Sequence, residues 1–156
     1  MKETKKDLSL TEKVRIFALG GLDEDGKNML CIEVDDQIYI IEAGIKFPDA
    51  KESLGIEFII QDFSYLLENK DRIVGVIITH GHDDVMGALP YLLKQIKVDV
   101  YTSPLTAKMI QKTLRKEKIT GIKIHPIKRK VSRSSFTGSF PLSGFWEKWA
   151  KSSSSR

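Results

Sequence analysis

Short apolar runs broken by polar turns set the rhythm of this chain, and their spacing predicts most of its elements. Val14 to Leu19, Met29 to Val34 and Gln37 to Glu42 read as strands, the last two joined into a hairpin by Asp35-Asp36. Phe63 to Asn69 has apolar residues at helical spacing, with Asp62 placed to cap it. Arg72-Ile73-Val74-Gly75-Val76-Ile77-Ile78 is a β-branched run of the kind that forms a buried strand. A helix is predicted over Gly87 to Lys94, where Pro90 is tolerated only in the first turn. Asp99 to Thr102 follows as a strand, and Ser103-Pro104 opens a helix predicted to run to Lys118. His125, within Ile122-Lys123-Ile124-His125-Pro126, alternates with apolar positions and reads as a strand residue rather than a ligand.

Between the buried strand and the Gly87 helix lies Thr79-His80-Gly81-His82-Asp83-Asp84-Val85. Loops at the carboxyl end of a strand are where open α/β sheets place ligands. Neutral imidazole nitrogen and carboxylate oxygen suit zinc, manganese and related divalent ions, and His-x-His lets two rings meet at one ion when the loop curls. His80, His82 and Asp84 are therefore the candidate metal ligands. The bland alternative is a solvated polar loop whose histidines merely lie close together.

His80-x-His82-x-Asp84 running into Gly87-Ala88-Leu89-Pro90-Tyr91-Leu92-Leu93 resembles the metal loop of the metallo-β-lactamase superfamily, specifically its ribonuclease J branch of β-CASP nucleases. The resemblance extends to Phe17-Ala18-Leu19-Gly20-Gly21-Leu22 through Gly26-Lys27-Asn28-Met29, similar to the family's Gly-rich segment. Ile40-Ile41-Glu42-Ala43-Gly44 resembles its Asp-Ala-Gly turn, and Leu54-Gly55-Ile56 with Asp62 to Leu66 the segment before the metal strand. Residues 13–130 are covered. The resemblance implies an α/β fold of the α+β kind, the first half of an αββα sandwich, with the second face of its sheet left without its usual partner.

The same resemblance implies a metal-dependent ribonuclease acting in RNA processing and decay, with zinc or manganese as cofactor. His80 and His82 would hold one ion, Asp84 would serve the second and help orient the attacking water, and the Glu42 carboxylate would support the site from close by. Three departures bear on this. Val85 occupies the place of the motif's final His and offers no lone pair, so a second ion loses a ligand. Asp83 is a conceivable substitute. Glu42 is one methylene longer than the family's Asp, and Asp23 and Asp25 stand where Gly and a branched apolar residue are usual. Asp tolerates a left-handed backbone, so the turn can survive, and Asp23, Glu24 and Asp25 read as a solvated turn.

At 156 residues the chain has room for one ordinary domain, yet the family's downstream ligands, β-CASP insert and returning half-sandwich have no counterpart in it. Residues 1–12 read as a charged extension, 13–130 as the metallo-β-lactamase-like domain, and 131–156 as a Ser-rich, disordered tail, a pattern that a frameshift or an appended segment would give. The net charge is +4, but Lys108, Lys112, Arg115, Lys116, Lys118, Lys123, Lys128, Arg129, Lys130 and Arg133 oppose only Glu117 in their stretch. Of these, Lys108, Lys112, Arg115, Lys116, Lys128, Arg129 and Lys130 are candidate RNA contacts, since a basic helix can track phosphates without reading sequence. A solubilising surface is the competing reading.

The single cysteine, Cys31, has no internal partner and suits a reducing compartment. Met1 to Lys13 is charged and has no apolar run long enough for a signal peptide or membrane span, so the cytoplasm is expected. Two function classes remain open. One is a ribonuclease of ribonuclease J type, weak or inactive alone; the other is a non-catalytic subunit that binds RNA, a full-length ribonuclease J partner or a second copy of itself. A gene remnant that does not fold is the third outcome.

Overall fold

The computed structural model describes residues 13–48 and 55–127. The expected extension at 1–12, the tail at 131–156, and Lys128, Arg129 and Lys130 lie outside the described residues.

Strands β1 (Val14–Gly20), β2 (Met29–Val34), β3 (Gln37–Ile41), β4 (Ile73–Ile78), β5 (Val100–Thr102) and β6 (Ile124–Pro126) form one sheet whose spatial order equals their chain order. The first three strands are antiparallel and the later pairings parallel. Helices α1 (Ser64–Glu68), α2 (Asp83–Met86), α3 (Leu89–Gln95) and α4 (Pro104–Lys116) are the connectors. This is the α/β half-sandwich expected from the sequence, and His125 is indeed a strand residue, in β6.

Period-2 alternation sorts the sheet into two faces. Cys31, Ile40, Val76 and Val100 share one row of the register and are fully buried with Leu66, Leu92, Leu93 and Ile110 from the helices. Along the same face Glu33 is a buried carboxylate, ion-paired with Arg15 and Arg72 and accepting a hydrogen bond from the Tyr65 hydroxyl at 3.2 Å. Ala18, Leu30, Ile41, Ile77, Tyr101 and His125 make the opposite row and stay only half-buried, while Val14 and Ile16 on that face are 58% and 62% exposed.

The main departures from the sequence reading concern the helices. One helix was expected over Gly87 to Lys94; two short ones form, and the first begins inside the histidine motif at Asp83. The break has a cause. The Asp84 carbonyl accepts from Asn28 N–H at 3.2 Å and the Val85 carbonyl from Ala43 N–H at 2.7 Å, so neither continues a helical ladder, and Ala88 N–H turns to the Ala43 carbonyl at 2.8 Å. Pro90 then falls in the first turn of α3.

Helix α4 stops at Lys116, short of Lys118. Lys118 is left-handed (φ 55°), with its N–H on the Arg115 carbonyl and the Ile119 N–H on the Leu114 carbonyl, a Schellman ending built on lysine instead of glycine. The α1 cap position is Phe63, yet Asp62 does the expected work: its Oδ1 accepts from the Ser64 hydroxyl at 2.6 Å and from Ser64 N–H at 2.9 Å, and these two bonds, the hydroxyl's foremost, lower the Asp62 pKa.

Candidate metal site

The histidine loop leaves the buried end of β4 at Ile78. Thr79 N–H faces both carboxylate oxygens of Glu42 at 3.4 Å, and the Thr79 hydroxyl lies 2.8 Å from His80 Nδ1. The His80 ring is thus held by Nδ1, and among the described residues Nε2 has no hydrogen-bond partner. His80 and His82 meet edge to face with ring centroids 4.5 Å apart. His82 is extended just ahead of α2, and its carbonyl accepts from Val85 and Met86 N–H at 3.1 and 2.9 Å. Both histidines are exposed.

Asp84 is half-buried, and its Oδ2 accepts from the Asn28 side-chain amide at 3.2 Å. Glu42 has a raised pKa: burial is the main cause, the neighbouring Asp84 charge adds to it, and the Thr79 hydrogen bonds and His80 oppose it. Its backbone is left-handed at φ 67°, so the residue turns the chain out of β3 while its carboxylate reaches back to Thr79.

A close backbone approach fixes this arrangement. Ala43 and Ile45 N–H donate to the Val85 and Asp83 carbonyls at 2.7 and 2.9 Å, while Gly44 N–H donates to the Asn28 carbonyl at 3.0 Å. A Cβ on Gly44 would lie 1.6 Å from the Asp84 carbonyl oxygen, so glycine is required by proximity alone. Gln61, almost fully buried, donates Nε2 to the Gly44 carbonyl at 2.9 Å and to the Lys27 carbonyl at 2.6 Å, tying the Gly-rich segment to the same turn.

In that segment Asp23 is left-handed (φ 51°), as its tolerance for that region allows. Asp23 and Asp25 are exposed, in keeping with a solvated turn, but Glu24 is not part of one. It accepts from Gly21 N–H and pairs with Lys27 and Lys46 at 3.2 and 3.1 Å, contacts that lower its pKa, the Gly21 bond foremost.

The donor chemistry of His80 and His82 fits a divalent ion, and Asp84 stands two residues further along the same loop. The set is not closed: among the described residues no three His, Cys, Asp or Glu side chains gather into a group able to hold an ion. Val85, in the place of a further ligand, is 5% exposed and packs into the core. Asp83 does not take its place; it is exposed, and what it contributes is its carbonyl to Ile45 and Gly87. His125 is bound to Asp99 at 2.8 Å and stacked on Tyr101. The structure brings His80 and His82 together, sets Asp84 against Asn28, and sets Glu42 against Thr79. Lys108, Lys112, Arg115 and Lys116 all lie exposed on α4.

A half-sandwich with a histidine pair on the strand-end loop is the signature of a class: residues 22–145 match the metallo-β-lactamase superfamily, and the chain belongs to it. That superfamily implies a divalent metal. Within it the chain is ribonuclease J-like. It is 48% identical over 99 residues to ribonuclease J 1 of Streptococcus pyogenes, covering 64% of this chain and 18% of that one. To ribonuclease J 2 of Staphylococcus aureus it is 44% identical over 106 residues, covering 68% and 19%. The chain thus spans about a fifth of the length of the curated relatives it matches. Among solved structures, human tRNase Z, short form, aligns with a TM-score of 0.47 and 16% identity over 72% of this chain and 43% of that one. Among the described residues no helix is long and apolar enough to cross a membrane.

Proposed function

We propose that this chain carries the amino-terminal, histidine-bearing part of a metal-dependent ribonuclease of ribonuclease J type, and that these 156 residues alone cleave RNA weakly or not at all. The observation that supports it is the His80–His82 pair, 4.5 Å between ring centroids, on a loop whose position is fixed by hydrogen bonds from Asn28, Ala43 and Ile45. Zinc or manganese at such a pair would supply an activated water and stabilise charge on a phosphate. The chain's own part is to orient the imidazoles: Thr79 sets the His80 ring, Glu42 holds Thr79, and Asn28 holds one oxygen of Asp84. A cytoplasmic location accords with this role.

The buried Val85 favours a second reading, a non-catalytic RNA-binding subunit or partner of a full-length ribonuclease J, since an apolar side chain packed in the core takes no part in ligation. One measurement separates the two. The purified, folded chain is analysed for bound zinc and manganese beside a His80→Ala/His82→Ala variant. Metal near one equivalent, lost in the variant, supports the metal-dependent reading; a folded chain free of metal at micromolar supply replaces it with the subunit reading.

A further inference from the structure

We infer that the exposed face of α4 is a track for single-stranded RNA phosphates that begins at the histidine loop. The inference rests on the reading of RNA as substrate and adds to it a path across the surface.

Helix α4 divides cleanly by face. Thr106, Ala107, Ile110 and Leu114 are buried against the sheet, while Lys108, Lys112 and Arg115 point to solvent, spaced so that three cations fall on one side of the helix. From Lys108 to Arg115 the axis advances about 10 Å. Lys108, Lys112 and Arg115 make no ion pair among the described residues, whereas Lys27, Lys46, Arg15, Arg72 and Lys94 each have a carboxylate partner. Glu117, beside Lys116, has its pKa lowered mainly by the hydrogen bond and charge of Lys94, with Lys116 adding to the same effect. Lys13, Lys70, Lys97, Lys118 and Lys123 also lack an ion pair among the described residues, so what sets the α4 cations apart is that three of them share one face of one helix.

The near end of this row touches the candidate metal site. A Cβ on Gly81, the residue between the two histidines, would lie 2.6 Å from Met109 Sδ, so Met109 rests directly on the loop. Lys108 is its neighbour, and Lys112 follows one turn on. Leu105, 71% exposed, and Met109, 39% exposed, add apolar surface at the same end, on which a base can lie while its phosphate meets Lys108. Point charges in a row on a helix face meet phosphates, and phosphate contacts position a strand without reading its sequence.

The test is fluorescence-anisotropy binding of labelled single-stranded RNA of mixed sequence to the whole chain in EDTA, across about 50–200 mM salt. Three phosphate contacts predict a log–log salt slope of about −2, from ~0.7 per phosphate on single strands. Lys108→Ala/Lys112→Ala/Arg115→Ala should flatten the slope toward zero and weaken every RNA sequence alike. Lys108→Arg/Lys112→Arg/Arg115→Lys should keep it, and Lys70→Ala/Lys97→Ala, from elsewhere on the surface, should leave it unchanged. Circular dichroism confirms that each variant is folded.

A wild-type slope that survives the triple alanine variant places binding elsewhere and overturns the track, as does a wild-type chain that shows no RNA binding at 50 mM salt or prefers single-stranded DNA. Because EDTA removes metal, an empty histidine pair in the metal analysis leaves this result standing, and the two readings fail separately.

Discussion

Gly44→Ala should be among the most damaging single substitutions in the described fold, although it adds one methyl group. The new Cβ would lie 1.6 Å from the Asp84 carbonyl oxygen, 2.1 Å from its carbon and 2.8 Å from Val85 N. All three are backbone atoms, so no rotamer change relieves the clash; the turn and α2 must separate. Separation strains the bonds that join them: Ala43 N–H to Val85, Ile45 N–H to Asp83, and Asn28 N–H to Asp84. At about 0.5–1.5 kcal/mol net for each bond, losing three costs about 1.5–4.5 kcal/mol. That is a large share of the ~5–15 kcal/mol that holds a typical domain folded.

Urea unfolding followed by circular dichroism measures the loss, with Gly55→Ala as control. Gly55 has no atom within 4 Å of an added Cβ, and only its φ of +89° resists substitution, so its cost should stay near ~1 kcal/mol. Hydrogen exchange adds the location: in Gly44→Ala the amides of Ala43 and Ile45 should lose protection before those of β4. A loss below ~1 kcal/mol for Gly44→Ala, or equal losses at Gly44 and Gly55, would refute the close-approach argument.

Two further outcomes follow from features elsewhere. Lys118 ends α4 in the left-handed region, so Lys118→Gly should stabilise the chain by about 0.5–1 kcal/mol in the same urea assay, with no change in slope. Burial raises the Cys31 thiol from its ordinary 9.0 to about 11. The native thiol should therefore resist alkylation at pH 8 and react only on unfolding. An acid whose folded pKa is raised ionises first in the unfolded chain, so its contribution to stability is complete below pH 9 and should fall between pH 9 and 11. Comparing Cys31→Ala with the parent across that window isolates the thiol.

Much of the sheet is written locally. The alternation in Met29–Val34 and Gln37–Ile41 gives the hairpin, and the β-branched run gives β4, because side-chain period is a property of neighbouring residues. The histidine loop is legible for the same reason: its ligand candidates lie within a few residues on one turn. The interruption between α2 and α3 is not legible, since it depends on carbonyls of 84 and 85 being taken by amides of 28 and 43, far away in sequence.

The supporting roles of Asn28, Gln61 and Glu24 are hidden for the same reason. A polar residue near a Gly-rich turn has no local mark that separates a solvated side chain from one spanning segments. Glu42 was read by the length of its side chain; its left-handed backbone, which decides where the carboxylate goes, leaves no trace in composition.

Strand order along the sheet matches strand order along the chain, from β1 to β6. Each strand, as it leaves a ribosome, finds its only earlier neighbour already synthesised and waiting at the open edge. No pairing waits for a strand made later, although the parallel partners lie 24 residues apart from β4 to β5 and from β5 to β6, and 35 or 36 apart from β3 to β4. The platform beneath His80 and His82 is therefore complete on one side by the time β4 pairs with β3, and the histidines follow directly behind. A nascent chain can thus build the support for this loop before the loop itself has been made.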